Sequence, residues 1–301
     1  MDEIIEVKQA EMLQAINRSE VDMQIATAKQ YPRDLPTVLN KIETYATMDM
    51  ETAADCFYAL RRQGADGSAQ LIEGLSVRMA EIIASAWGNL RVQTRIIGND
   101  GRFITAQGVC HDLETNVAVS KEVKRRITNK FGKTFSDDMQ VTTGNAAASI
   151  AFRNAVLAVV PKAVTKKIIA NVKQVALGQA IDLETGRQNA IANYAKAGVT
   201  EQALCEYLGI SKREEIDKEK LFELKALWNA IKEGTTTVQE TFIKPQQEKN
   251  AAAEAQKKAE EAKAKAADSA KRSTAAKIAT APAPANVDPA TGEIFNNETK
   301  K

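Results

Sequence analysis

Apolar residues recur at helical spacing through the first third of the chain. A loose stripe that includes Ile5, Met12 and Ile16 predicts a helix over residues 1–30. Tyr31-Pro32 ends it, because the residue before a proline disfavours helical backbone. Similar spacing predicts three further helices, over residues 36–47, 50–62 and 76–86. We expect Asp49 to cap the third of these four helices, and Gly64 and Gly67 to stop it.

The hydrophobic period then changes from about 3.6 residues to two. Over residues 90–97, Val92, Thr94 and Ile96 alternate with Arg91, Gln93 and Arg95, which is typical of a half-exposed strand. Residues 98–101 read Gly-Asn-Asp-Gly, a strong turn signal. Extended patterns continue over residues 102–110 and 112–123. The sequence therefore predicts an antiparallel meander of three strands.

Helical character returns after a predicted loop over residues 130–143. The next helix spans residues 145–160, and Pro161 starts another, because proline fits the first turn of a helix. We expect Gly186 and Gly198 to separate the helices that follow, and two or three short helices over residues 200–242. The fold class predicted is α+β, with N-terminal helices, a three-stranded meander packed on a long helix, a C-terminal helical unit and a disordered tail.

These patterns divide the chain into four predicted segments. Residues 1–35 form an N-terminal helix and a candidate subunit contact, and residues 36–185 form a core that contains the meander. Residues 186–245 form the C-terminal helical unit. Residues 246–301 are rich in alanine, lysine and glutamate, with an alanine-proline spacer, and contain few large apolar side chains. We expect this last segment to be a flexible tail, because it has little to bury.

The distribution of charge along the chain is more informative than its total. The chain has 41 lysines and arginines against 39 aspartates and glutamates, so its net charge of +2 indicates no particular partner. Residues 121–133, however, contain six cations and only Glu122 as an acid, a local net charge of +5 (six minus one). Phe131 and Phe135 lie beside them as candidates for base stacking. This density favours nucleic acid, and the alternative is a solvated loop beside two core phenylalanines.

Several function classes find little support. The chain has one histidine, three widely spaced cysteines and no phosphate-binding loop, so we expect no catalytic residue, metal or other cofactor. The longest apolar run, residues 155–160, is too short to cross a membrane, and reduced thiols indicate a cytoplasmic protein. A metal-dependent nuclease built on Asp112 and Glu114 is a weaker alternative. Lys121 would face the opposite side of a regular strand from Glu114.

The helix predicted over residues 145–160 carries one arginine among small residues. Ala147, Ala148 and Ala151 would permit close packing against the sheet. Arg153 is either a surface arginine or a phosphate contact in a groove between helix and sheet. The sequence leaves these two alternatives open.

Three stretches together resemble a known family. They are Gly74-Leu75-Ser76-Val77-Arg78 with the following Trp87-Gly88-Asn89, the strand end Asp112-Leu113-Glu114-Thr115-Asn116, and the helix Ala146 to Val160 that closes on Pro161. Across residues 36–164, and more loosely across 200–242, the chain resembles phage-encoded single-strand annealing proteins of the RecT, Erf and Red beta group. Leu75 stands where the nearest relatives would be expected to have proline.

The resemblance implies a homo-oligomer, a ring or filament, that binds single-stranded DNA in a basic groove and anneals complementary strands without ATP. Residues 36–185 would then be the DNA-annealing core. The implied DNA contacts are Lys121, Lys124, Arg125, Arg126, Lys130, Lys133 and Arg153, with Arg78, Arg91 and Arg95 as weaker candidates. The partners implied are a phage exonuclease and the host single-strand-binding protein, the latter near Trp228, in the cytoplasm of a bacterial host. A phage scaffold or adaptor protein is the alternative, since the net charge is near zero and the helical content is high.

Overall fold

The computed structural model describes residues 2–63, 69–129, 131–178 and 183–243. The predictions made for Gly64, Gly67, Lys130 and the tail 246–301 lie outside these residues. Residues Met1–Phe242 form one compact unit. The α+β fold class predicted from the sequence is confirmed: a three-stranded antiparallel sheet packs against a long helix, with further helices around them.

Nine α-helices are present in the described part of the chain. They are α1 (Asp2–Gln30), α2 (Leu35–Ala46), α3 (Met50–Asp55), α4 (Val77–Trp87), α5 (Asp137–Val159), α6 (Lys162–Leu177), α7 (Leu183–Lys196), α8 (Glu201–Leu208) and α9 (Lys218–Lys232). A 3₁₀ turn (Arg213–Glu215) and a π-helical turn (Gln239–Ile243) complete the helical elements. Asp34, Asp49 and Ser76 cap α2, α3 and α4, each accepting a backbone N–H three residues on.

Among the described residues, five strands form two separate sheets. The two-stranded sheet pairs β1 (Phe57–Gln63) with β2 (Ala69–Leu75), and the three-stranded sheet has the order β3 (Leu90–Asn99), β4 (Phe103–Asp112) and β5 (Val117–Arg126). All neighbouring strands are antiparallel. The meander predicted from the two-residue period is therefore confirmed. A register shift between Ile96 and Gly98 interrupts the β3–β4 ladder.

Three sequence predictions at element boundaries are wrong. The helix expected over residues 50–62 ends at Asp55, because Phe57 and Ala59 are buried in strand β1, which packs against α9. The loop expected to reach residue 143 stops at Ser136, where α5 begins with two acids in its first turn. Gly186 lies inside α7 and does not separate helices, and its bare backbone accommodates Leu221 of α9.

Helix α5 lies directly on one face of the three-stranded sheet. Ile104, Ala106 and Cys110 of β4 are buried on that face, and Ile104 and Ala106 share a small core with Ala147 and Ala151 of the helix. A Cβ built on Gly108 would stand 2.3 Å from the carbonyl oxygen of Ala151. The alanine-rich surface predicted to pack on the sheet does so, and it brings the two backbones into contact.

This close approach predicts a large cost for a single added methyl group. We expect Gly108→Ala to lower the free energy of unfolding by about 1–3 kcal/mol, as overpacked cores do, because Ala151 can move only with the helix backbone. Gly98→Ala is the matched control in the same sheet, since its Cβ would meet nothing closer than 3.9 Å. Urea denaturation of both variants measures the difference, and equal stabilities would contradict the close helix–sheet contact.

The C-terminal helices have a core of their own that includes residues of β1. Leu60 is buried in a cluster with Tyr194, Leu204, Leu224 and Leu227. Arg61 of β1 forms an ion pair with the buried Glu223 of α9. Residues 186–242 therefore pack directly on the two-stranded sheet. The functional division of the chain at residues 35, 185 and 245 stays a prediction.

No single described helix is long and apolar enough to cross a bilayer. Helices α5 and α6 together have the length and apolar composition of a membrane span, but their axes meet at a bend of 117°.

Candidate nucleic-acid interface

The face of the three-stranded sheet that points away from α5 carries part of the basic segment predicted over residues 121–133. In an antiparallel ladder, directly paired residues share a face, so the register assigns each side chain. The pairs Arg95↔Gln107, Thr105↔Lys124 and Phe103↔Arg126 all belong to this outer face. Its members are Arg91, Gln93 and Arg95 of β3, Phe103, Thr105, Gln107, Val109 and His111 of β4, and Ala118, Ser120, Glu122, Lys124 and Arg126 of β5.

Four cations and one carboxylate give the outer face a local net charge of +3 (four minus one). Arg95, Lys124 and Arg126 are exposed, and Arg91 is half-buried, donating to Gln24 Oε1 of α1 at 2.9 Å. Neighbouring strands lie about 4.8 Å apart, so the cations of β3 and β5 stand roughly 10 Å apart across β4. They flank a central row of polar and half-buried side chains. We call this arrangement the outer-face lane.

Strand alternation divides the basic segment that the sequence presented as one cluster. Lys124 and Arg126 lie on the outer face, whereas Lys121 pairs with Gly108 and Arg125 with Ile104, on the side that carries α5. Lys121 is exposed there, at the edge of the sheet. The segment is therefore not a single wall of a groove between sheet and helix, because side chains of successive residues in a strand point in opposite directions.

Arg125 is held against the loop that follows α9. Its Nη1 donates to the backbone carbonyl of Thr235 at 3.3 Å, and its side chain is half-buried. Burial lowers the pKa of Arg125, although Glu240 acts in the opposite direction. A guanidinium in this position fixes the loop to the sheet, which sets Arg125 apart from the exposed cations beside it.

The turn end of the lane adds an aromatic ring and a cation that the sequence analysis did not single out. The guanidinium of Arg126 lies over the ring of Phe103, with 5.8 Å to its centroid. Arg102 is exposed in the β3–β4 turn, where Asp100 accepts the backbone N–H groups of Arg102 and Phe103. A polar turn between two strands is common, and Arg102 lies next to Phe103, which pairs with Arg126.

A short hairpin follows β5 and projects Phe131. Thr128 and Thr134 form a β-bridge, and Gly132 at its tip has a positive φ of 82°. The side chain of Phe131 is 82% exposed, and Lys133 beside it is exposed as well. Phe135, by contrast, packs partly buried against the core of Ile104 and Ala147. The ring of Phe131 is therefore open to solvent, while Phe135 contributes to the sheet–helix contact.

Arg153 is buried, so the surface position that was one of its two predicted alternatives is wrong, and the phosphate contact stays a prediction. Its side chain lies over the ring of Tyr58, 4.6 Å from the centroid, and its Nη1 lies 3.5 Å from Oε2 of Glu233. Glu233 in turn accepts the backbone N–H of Val77 at the start of α4. Arg153 is only 6% exposed, and through Glu233 it joins α5 to α4 and the end of α9.

Arg78 lies at the first turn of α4, on an element that packs against α2 and α5 and not on the outer sheet face. Its Nη1 donates to Oε2 of Glu81 at 2.7 Å, and both side chains are largely exposed. The structure thus brings Arg91, Arg95, Lys124 and Arg126 together on one surface, and Lys133 and Phe131 onto the hairpin next to it. It separates Arg78, Arg153, Lys121 and Arg125 from them.

The two carboxylates of the nuclease hypothesis are bound to an arginine. Arg33 donates from Nη1 and Nη2 to both oxygens of Asp112, at 2.6 and 2.7 Å, and its backbone N–H donates to Glu114 at 2.9 Å. Burial raises the pKa of Asp112, but the hydrogen bonds from Arg33, Glu114 and Thr115 outweigh it and hold the pKa below its usual range. Within the described residues no group of three potential metal ligands occurs. This arrangement indicates a structural ion pair.

Comparison with known proteins returned no match to a protein-family model, to a curated protein or to a solved structure.

Proposed function

We propose that this protein binds single-stranded DNA along the outer-face lane and anneals complementary strands without a nucleotide cofactor. The observation that carries the proposal is the register, which places Arg91, Arg95, Lys124 and Arg126 on one open sheet face with a single acid. Cations without fixed acidic partners attract phosphates, and release of counterions makes that attraction favourable. Among the ion pairs of the described residues, none includes these four side chains.

The lane suits a strand whose bases must stay available for pairing. Rows of cations on β3 and β5 would hold the phosphate backbone from two sides, above the polar side chains of Thr105 and Gln107. Phe103, under the guanidinium of Arg126, offers a ring at one end, and Phe131 on the hairpin offers another. Base stacking on aromatic rings tolerates any sequence, which matches binding without sequence preference.

Annealing follows from charge neutralisation. Two complementary strands repel each other through their phosphates, and basic side chains that neutralise phosphate charge lower this repulsion while base pairing supplies the driving free energy. The chain then needs no catalytic residue and no hydrolysed nucleotide. Because the chain resembles phage single-strand annealing proteins, we extend the proposal to a homo-oligomeric ring or filament in the bacterial cytoplasm. Its proposed partners are a phage exonuclease and the host single-strand-binding protein.

Fluorescence-transfer annealing of two labelled complementary oligonucleotides tests the proposal. We expect the purified protein to accelerate pairing at least tenfold over the spontaneous rate, with no nucleotide or metal added, and binding to weaken steeply as salt rises. Absence of both binding and acceleration at low salt would refute the proposal. Clean oligomers under those same conditions would favour the scaffold alternative.

The hairpin provides a separate prediction. We expect Phe131→Ala to weaken binding of single-stranded DNA by about 5- to 150-fold, the equivalent of the 1–3 kcal/mol attributed to one stacked base. Its stability should stay within about 0.5 kcal/mol of the parent, because the ring is largely exposed. Phe135→Ala is the matched control: it should lower stability and leave the affinity of the folded protein unchanged. Fluorescence anisotropy and thermal unfolding measure the two effects, and equal affinities for the parent and Phe131→Ala would exclude a stacking role.

A further inference from the structure

Helix α6 has a buried face and a basic face. Thr165, Ile168, Val172 and Ala176 are buried, where the helix packs on α2 and α3. The opposite face exposes three lysines in its first two turns, Lys162, Lys166 and Lys167, separated by the small residues Ala163 and Ala170. We call this face the α6 lysine face. The helix contains no acidic residue.

These three lysines are unfavourable for the helix that carries them. The N-terminal end of a helix bears a partial positive charge, which repels cations in the first turns. Lys162 and Lys166 are also four residues apart, the spacing at which like charges repel across one turn. The fourth lysine of the helix, Lys173, has a partner in Glu73 at 2.5 Å, but no ion pair of the described residues includes the other three. Local stability therefore gives no reason for their presence.

The α6 lysine face is distinct from the outer-face lane. Helix α5 covers the inner face of the three-stranded sheet, and the chain then bends by 117° at Pro161, so that α6 packs on α2 and α3. The two basic surfaces thus belong to different elements. A protein that anneals DNA must bring two polyanionic strands together, and the outer-face lane provides a binding surface for one strand.

We infer that the α6 lysine face is a second DNA-binding surface, which receives the complementary strand while the outer-face lane holds the first. This inference rests on the proposed function. Three exposed cations on one helical face contact a phosphate backbone as point charges, without reading sequence. Capture through such contacts is transient and strongly dependent on salt, which lets the second strand move until it finds its complement.

The test is the triple variant Lys162→Glu, Lys166→Glu, Lys167→Glu, compared with Lys196→Glu, Lys212→Glu, Lys232→Glu, in which three exposed lysines elsewhere are reversed. Anisotropy with one labelled oligonucleotide measures first-strand binding, and fluorescence transfer after addition of the complement measures annealing. We expect the α6 variant to retain first-strand affinity within about twofold and to anneal at least tenfold more slowly. The salt dependence of its annealing rate should flatten by about 2 in log–log slope, from three contacts of roughly 0.7 each.

The variant should fold, since glutamates at the start of α6 suit the helix dipole, and we expect its melting temperature to equal or exceed that of the parent. Unchanged annealing and salt slope would overturn the inference. Equal losses of first-strand binding and annealing would overturn it too, because α6 would then belong to a single site. Failure of the parent protein itself to bind or anneal would instead refute the proposed function.

Discussion

Reversing three cations of the outer-face lane, Arg95→Glu, Lys124→Glu and Arg126→Glu, should weaken the binding of single-stranded DNA by about 100-fold at low salt. The estimate assigns roughly 1 kcal/mol to each exposed contact with phosphate. The log–log slope of affinity against salt should fall by about 2, since each lost contact with a single strand removes roughly 0.7. Fluorescence anisotropy over a salt series measures both quantities.

The control for this prediction must carry the same change in net charge. Lys196→Glu, Lys212→Glu, Lys232→Glu removes three exposed cations from the C-terminal helices and the loop between them. Long-range attraction depends on net charge and should fall equally in both variants, whereas the contacts with phosphate should be lost only in the lane variant. If both variants lost affinity to the same degree, binding would be a property of overall charge and the lane would not be the site.

Replacing Arg33 with methionine should have the largest effect on stability. Arg33 lies over Trp87, 4.9 Å from the ring centroid, and binds both oxygens of the buried Asp112. Removing one partner of a buried ion pair leaves a carboxylate without compensation, which typically costs about 3–5 kcal/mol. We expect urea denaturation of Arg33→Met to show a loss in that range. Arg33→Lys should recover only part of it, because an ammonium cannot bind both carboxylate oxygens in the same plane.

The pH dependence of stability gives a second readout of the same ion pair. The pKa of Asp112 is lowered in the folded protein, so the pair contributes stability above the unfolded value of about 3.9 and loses it as the pH falls through the folded pKa. Arg33→Met should reduce this acid sensitivity. Arg78→Met, which breaks an exposed pair, should change stability by less than about 1 kcal/mol. Equal losses in the two variants would contradict the structural role of Arg33.

Elements whose signals are local could be predicted from the sequence. Asp49 caps α3 as expected, and the alternation around Arg91 to Arg95 predicted the meander. The β1–β2 hairpin could not be predicted, because residues 57–62 also fit the helical spacing of the segment before them. Burial of Phe57 and Ala59 against α9, more than 150 residues away, decides in favour of the strand.

The candidate site also depends on contacts between residues that are distant in the sequence, which local patterns do not predict. A count of charges along residues 121–133 identified a basic segment but could not tell which cations share a surface. Pairing with β4 places Lys124 and Arg125 on opposite faces of the sheet, and it places Lys124 on the same face as Arg95, which is 29 positions away. Arg153 could not be placed either, because its partner Glu233 lies 80 residues further along the chain.

Site-specific cross-linking from the centre of the lane tests the central claim most directly. A photoreactive benzoylphenylalanine at Gln107, between Arg95 and Glu122, should cross-link to a bound single-stranded oligonucleotide on irradiation. The same group at the exposed Gln202 of α8 should not. Cross-linking at Gln107 that disappears in high salt is the result we predict. No cross-link at Gln107, or an equal yield at Gln202, would contradict DNA binding on this face of the sheet.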